Sequence, residues 1–358
     1  MKTDLKSLSK IELKQYILRN KKLLGSSLII PAHHYQRSEV VDISDFVGDS
    51  YKLAVDCKKN DAEFIVFCGV KFMAEGVFLL SQHHQKILMP DINACCPMAN
   101  MINSKIADRI YKKLNSLCVK DIIPVVYINS HTDMKCFSGK YNGSVCTSSN
   151  AKKVMEYYLN QDKAIFFSPD YNLGVNTAFE LGIQKYEIAK INEDLTIEPP
   201  GNINDVRLFI WDGFCYVHTV FNIEHIKALK KKYPKIKIIV HPECNEDIIR
   251  LSDITGSTQK IYSTIANAPN DSVWGVGTEY NFVKRLDREF PNKKVLPLFE
   301  SYCHNMEKIN ILNVAESIQS VKHFKKGNSD LINQISVPEK LVKNSKKALE
   351  KMIQISGD

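Results

Sequence analysis

Short apolar runs alternate along this chain with stretches in which apolar residues return every three or four positions, the pattern of strands interleaved with amphipathic helices. The first helix is announced by Ser9 and Glu12 at capping-box spacing, followed by Leu13, Tyr16, Ile17 and Leu24 on one face. Strands are predicted at residues 26–31 (SSLIIP), 64–70 (FIVFCGV) and 87–90, with a helix around 73–80 between the last two. The pattern then restarts, with a helix at 98–117, strands at 122–129 (IIPVVYIN), 164–168 (AIFFS) and 206–211, and a helix at 172–181. A third round follows, with helices at 221–233 and 280–290 and strands at 236–242 (IKIIVHP), 272–277 (SVWGVG) and 294–298. Pro338 then opens a closing helix carrying Leu341, Ala348, Leu349, Met352 and Ile353, and residues 325–330 form a surface turn.

Each round ends in the same way, with an apolar strand leading into a cysteine: residues 86–96 (KILMPDINACC), 208–218 (LFIWDGFCYVH) and 294–303 (KVLPLFESYC). The interval from strand end to helix-opening turn is also similar, from His33 to Ser50, from Asn129 to Ser148 and from His241 to Ser257. The segment 137–144 (FSGKYNGS) lies within the second interval as a loop insertion. These repeats predict an α/β fold of three units, 1–96, 97–215 and 216–303, with a helical tail, 304–358. Strands alternating with helices imply short parallel sheets with right-handed crossovers. A pseudo-threefold arrangement would place the active site at the common interface, beyond the carboxyl ends of the strands.

Composition narrows the class. The 358 residues suit two or three compact units, and 25% of them are charged, as in ordinary globular proteins. The net charge of +8 is lysine spread along helix faces, as at 227–237, without the arginine clusters or interleaved aromatics of a nucleic-acid surface. The first 22 residues lack the apolar core of a secretory leader, and no run is long enough to span a membrane, so a reducing cytoplasm is expected. Ten cysteines without disulfide-framework spacing then point to metal ligands or core thiols.

Cys96, Cys215 and Cys303, one per unit, make a soft ligand set suited to zinc or to an iron–sulfur cluster. Three thiolates on a cubane would leave one iron open as a Lewis acid. Only one of the adjacent Cys95 and Cys96 can aim at a shared centre, and Cys244 is a rival for the third position, although strand alternation turns it from His241. Cys57, Cys68, Cys118, Cys136 and Cys146 are expected in core or loops. The strand ends supply His33 with Tyr35, Tyr127 with Asn129, and His241 with Glu243, groups that donate, accept and shuttle protons. Ser50, Ser148 and Ser257–Thr258 open helices, whose free amides favour anions.

Together the motifs AHHYQ with DFVGDS, DINACCPMANM, VVYINS with CTSSNA, WDGFCYVH, VHPEC with GSTQ, and YCHNM resemble the quinolinate synthase family over essentially the whole chain. The resemblance implies one [4Fe-4S] cluster held by Cys96, Cys215 and Cys303. It also implies condensation of iminoaspartate with dihydroxyacetone phosphate to pyridine-2,3-dicarboxylate in NAD biosynthesis, with release of phosphate and water. By motif, His33, Ser50, Ser148, His241 and Thr258 would hold carboxylate and phosphate groups. Tyr35 and Glu243 would transfer protons, and Tyr127 and Asn129 would position the intermediate. An iminoaspartate-producing enzyme, an aspartate oxidase or dehydrogenase, is then the expected partner, with no nucleic acid and no membrane. Two rivals remain at this point, a zinc lyase or hydrolase on the same thiolates and an iron–sulfur sensor.

Overall fold

The capping box at the amino terminus forms as the spacing predicts. The Ser9 amide donates to Glu12 Oε2 at 2.8 Å, the Glu12 amide donates to Ser9 Oγ, and the helix Lys10–Leu24 buries Leu13, Tyr16 and Ile17. The structure, a computed structural model, describes residues 4–199 and 201–357. It is an α/β protein of short, mostly parallel sheets, divided into two compact units. One comprises the residues up to Cys96 with Tyr302–Val337; the other comprises Pro97–Ser301 with the residues from Pro338 on.

The first unit centres on the strand Phe64–Val66, flanked in parallel by Leu28–Ile29 and Lys86–Leu88. The helix Ile311–Phe324 packs on this sheet and against the amino-terminal helix, with Phe324 edge-on to the ring of Phe64. The strand expected at 26–31 is broken, and its second part, Pro31–His33, pairs instead with Phe46–Gly48. Proline has no amide to donate to a ladder, so the change of partner falls where a strand is easiest to interrupt. The strand expected to reach residue 70 stops at Val66, beyond which Cys68 exchanges backbone hydrogen bonds with Pro31 and His33.

The second unit contains two sheets. In the larger, Ser144–Cys146, Ile122–Tyr127, Ala164–Ser168, Leu208–Trp211 and Ile188–Ile191 lie side by side in parallel, and Ile197–Glu198 closes the edge antiparallel. Its core includes Ile110, Leu114, Val126, Phe137, Phe166, Phe209 and Trp211. A fully buried phenylalanine of this kind stabilises by roughly 1.5–3 kcal/mol through the water-exposed surface it removes. The smaller sheet is wholly parallel, in the order Ile254–Thr255, Lys237–Val240, Val273–Gly277, Lys294–Pro297, over a core that includes Phe221, Ile238, Val240, Ile248 and Leu298.

Two expectations need correction here. The helix predicted at 98–117 is a short 3-10 turn, Pro97–Asn100, followed by a separate helix, Ser104–Leu117, because Asn103 caps the latter by accepting the Lys105 and Ile106 amides. The loop insertion at 137–144 is mostly the end of a helix, Thr132–Lys140, with a turn at Tyr141 and Asn142 and then the edge strand Ser144–Cys146. Gly139 lets the closing helix, Glu339–Ser356, come close, since a Cβ there would lie 1.9 Å from the Asn344 carbonyl oxygen. Ser345 Oγ donates to the Thr132 carbonyl in the same contact. Packing is thus the role of this last helix.

Candidate active site

Parallel strands deliver side chains at their carboxyl ends, and in the second unit two such ends meet at Glu243. Tyr127 is the last residue of its strand, and its hydroxyl donates to Glu243 Oε1 at 2.5 Å. Glu243 lies just beyond Lys237–Val240 and is 2% exposed. Its second oxygen, Oε2, accepts from His218 Nδ1 at 2.7 Å. His218 Nε2 lies 3.1 Å from the Thr278 hydroxyl, which completes the chain Thr278–His218–Glu243–Tyr127. His241 stacks on His218 with ring centroids 4.3 Å apart. The Glu243 amide donates to His241 Nδ1 at 3.3 Å, which leaves Nε2 as the N–H of the His241 ring.

Burial alone would raise the Glu243 carboxyl. The two imidazoles beside it, His241 and His218, and the hydrogen bonds from His218 and Tyr127 outweigh it, holding the pKa down at about 2. Asp170, fully buried, shifts the opposite way. Burial first and the Glu243 charge second push it well above the usual carboxylate range. Its Oδ1 also accepts from the Leu173 amide at 2.6 Å, capping the helix Tyr171–Glu180. Asp170 pairs through the backbone with Gly213, where a Cβ would lie 2.3 Å from the Pro169 carbonyl oxygen; only glycine fits. Two buried carboxyls driven apart in pKa are the environment in which one accepts and the other holds a proton.

The first unit holds a related arrangement. His33 ends the strand Pro31–His33, its Nδ1 accepts the Tyr35 amide at 3.2 Å, and the two rings meet edge-on at 4.7 Å. Both are buried. Ser50 is the first residue of the helix Ser50–Lys59, which is capped by Asp49 through the Lys52 amide.

The remaining anticipated residues divide. Thr258 is buried and begins the helix Thr258–Ala266, capped by Ser257. Ser148, in the turn before Ala151–Leu159, lines with Ser257 an open cavity of about 480 Å³ whose wall includes Lys152 and Lys260. Asn129 is half-buried two residues past Tyr127. Neither Ser148 nor Asn129 is among the hydrogen-bond partners of Glu243 described above.

The cysteines sort by environment. Cys57, Cys68, Cys146 and Cys244 are buried, and desolvation pushes each thiol up, away from the thiolate a metal needs. Cys244 packs among Ile238, Val240 and Ile248, with Sγ toward the Gly277 carbonyl, as strand alternation predicts. Burial raises Cys118 and Cys136 as well. Cys96, Cys215 and Cys303 are partly exposed, and none is in a disulfide among the described residues. Cys96 and Cys303 belong to the first unit and Cys215 to the second. Each is a partly exposed thiol, the kind of donor that suits a soft metal. Cys215 also stands close to the carboxylate centre: its sulfur, a His218 nitrogen and a Glu243 oxygen lie within 4.8 Å of one another.

The sequence reading missed His218, Thr278 and Asp170. For His218 a signal existed, since it follows Cys215 at helical i, i+3 spacing in CYVH, and Tyr216–Thr219 is indeed a single helical turn. Thr278 and Asp170 carry no such mark. An aspartate before a helix is usually only a cap.

The model of the family described as quinolinate synthetase A protein matches residues 15–354. Quinolinate synthase from Bacillus pumilus is 41% identical over 99% of this chain and 96% of its own length. Those from Geobacillus sp. and Listeria monocytogenes are 39% and 40% identical over 99% of this chain and 97% of theirs. Apo D-lactate dehydrogenase from Escherichia coli, a solved structure, overlaps 92% of this chain and 98% of its own at 11% identity with a TM-score of 0.19. With its family motifs running from end to end and its buried carboxylate set at the strand ends, the chain belongs to the quinolinate synthetase A family of enzymes.

Proposed function

We propose that this chain condenses iminoaspartate with dihydroxyacetone phosphate to form quinolinate for NAD biosynthesis, releasing phosphate and water. The observation that carries this reading is the hydrogen-bonded set of Tyr127, Glu243 and His218 in a chain of this family. Condensation, ring closure and dehydration each move protons on and off carbon, nitrogen and oxygen. Glu243, ionised and fed by two donors, is the acceptor for a substrate proton, and Tyr127 is the donor that returns one. His241 and His33 each accept an amide on Nδ1, so each offers Nε2–H to a carboxylate or phosphate oxygen. Tyr35 is the proton carrier of the first unit. Ser50, Ser148 and Thr258, at or before the first turn of their helices, bind anionic groups with the help of the helix dipole, and Asn129 orients the intermediate.

Cys96, Cys215 and Cys303 are the residues that would hold a [4Fe-4S] cluster; all three are partly exposed, as is Cys95 beside Cys96. When bound with three thiolates, such a cluster supplies an open, Lewis-acidic iron. We further propose that the three larger of the four sheets reflect repeats 1–96, 97–215 and 216–303 about a pseudo-threefold axis, followed by the 304–358 tail. An aspartate oxidase or dehydrogenase would supply the unstable imine in the cytoplasm; among the described residues no helix is long and apolar enough to cross a membrane.

The test is quinolinate formation followed by mass spectrometry, using anaerobically reconstituted protein, dihydroxyacetone phosphate and freshly generated iminoaspartate. Product that depends on the cluster is expected. Full cluster content without product would overturn the reading.

A further inference from the structure

The second unit contains, within itself, three ligands of different chemistry around one point. Cys215 caps the short helix Tyr216–Thr219, and His218 sits three residues on, its amide bonded to the Cys215 carbonyl, which sets both side chains on one side of the turn. Glu243 approaches from the end of the neighbouring sheet. The three donor atoms lie within 4.8 Å of one another, against roughly 3.5 Å between ligand atoms implied by the bond lengths of a tetrahedral zinc site. His218 and Glu243 are buried, and Cys215 is the partly exposed member. To admit a cation, His218 Nδ1 and Glu243 Oε2, now 2.7 Å apart, part by less than about 1 Å, and Cys215 swings inward.

We propose that Cys215, His218 and Glu243 form a binding site for a divalent cation of the zinc class, which fills when the chain carries no cluster. The proposal stands independently of the cluster assigned above, because it needs neither Cys96 nor Cys303. A borderline metal suits a thiolate, imidazole and carboxylate together, and three protein ligands leave a fourth position for water. The cation takes the place of the proton between His218 Nδ1 and Glu243 Oε2. That proton moves to Nε2 and is donated to Thr278 Oγ1, the outer hydrogen bond that orients metal-bound histidines. The thiol proton leaves to solvent. Since Cys215 cannot serve this cation and a cluster at once, and Glu243 is no longer a base once it is a ligand, zinc in this site silences the enzyme.

The experiment uses the full chain, cluster-free, titrated with cobalt(II) and, in competition with a chromophoric chelator, with zinc(II). One cation per chain is expected, with a thiolate-to-cobalt charge-transfer band and tetrahedral d–d bands. Both should survive unchanged in the Cys96→Ser/Cys303→Ser double variant, which cannot hold the cluster. Cys215→Ser should abolish the charge-transfer band. Thr278→Val, a milder change, should weaken binding by roughly tenfold or more. Binding that disappears in the double variant, or that is unaltered in a His218→Ala chain with native circular dichroism, would overturn the proposal. Failure to make quinolinate would leave it standing, because the readout is the cation.

Discussion

Residues 30–50 and residues 238–258 build the same turn and fill it with different chemistry. In the first, the Ile30 amide donates to Asp45 Oδ2 at 2.6 Å; in the second, the Ile238 amide donates to Asp253 Oδ2 at 2.7 Å. His33 ends its strand, His241 directly follows its own, and each accepts, on Nδ1, the amide two residues on. Gly48 and Gly256 each lie against a lysine side chain, Lys52 and Lys260, that a Cβ would crowd. Asp49 and Ser257 cap the following helices, and Ser50 and Thr258 are their first residues. The two turns part at Tyr35 and Glu243. Tyr35 packs on its own histidine, whereas Glu243 is gripped by Tyr127 and His218 from other elements. The turn thus sets where a group stands, and the elements packed against it set the proton chemistry.

The sharpest way to break this comparison is to remove the differing groups. Glu243→Gln keeps size and one of the two acceptor oxygens but removes the base, and should lower quinolinate turnover by about 10² to 10⁴ with cluster absorption unchanged. Tyr35→Phe should lower turnover by less, about 10 to 10², again with the cluster intact; unchanged turnover would remove Tyr35 from the chemistry. Tyr127→Phe leaves a buried carboxylate oxygen without its donor and should cost about 1–3 kcal/mol in urea denaturation. The shared scaffold is tested by the caps: Asp49→Ala and Ser257→Ala should each cost about 1 kcal/mol. A negligible cost for one alone would break the equivalence.

The smallest expected effect concerns pH. Glu243, with its pKa lowered from 4.5 to about 2, contributes stability that is present above 4.5 and is lost as pH falls toward 2. Asp170, raised by burial and by Glu243, works with the opposite sign: its contribution is present below its unfolded value of 3.8 and is lost as pH rises through its folded value. Asp170→Asn keeps the cap acceptor and removes the titration. Thermal melts of that variant should decline less with rising pH above 3.8 than those of the parent chain; an unchanged pH slope would contradict the raised pKa.

Much of this was legible from residue order. The capping box at Ser9, the strand Ala164–Ser168 and the pairing of His241 with Glu243 follow from periodicity and alternation, which act locally. Other features depend on contacts between distant segments. Pro31 changes sheets because of what lies beside it, and Ser144–Cys146 is a strand because Ile122–Tyr127 offers it an edge. The similar intervals left Ser257 and Thr258 interchangeable. The caps distinguish them, placing Thr258 in the position of Ser50. Thr278 and Asp170 stayed hidden because their chemistry lies in burial and neighbours, which local sequence does not encode.

The most direct test of the central claim, that Glu243 is the proton acceptor of quinolinate formation, is turnover per cluster in the parent chain and in Glu243→Gln side by side. The account predicts product from the parent and at least about a hundredfold less from the variant at equal cluster content. Equal turnover in the two would contradict it.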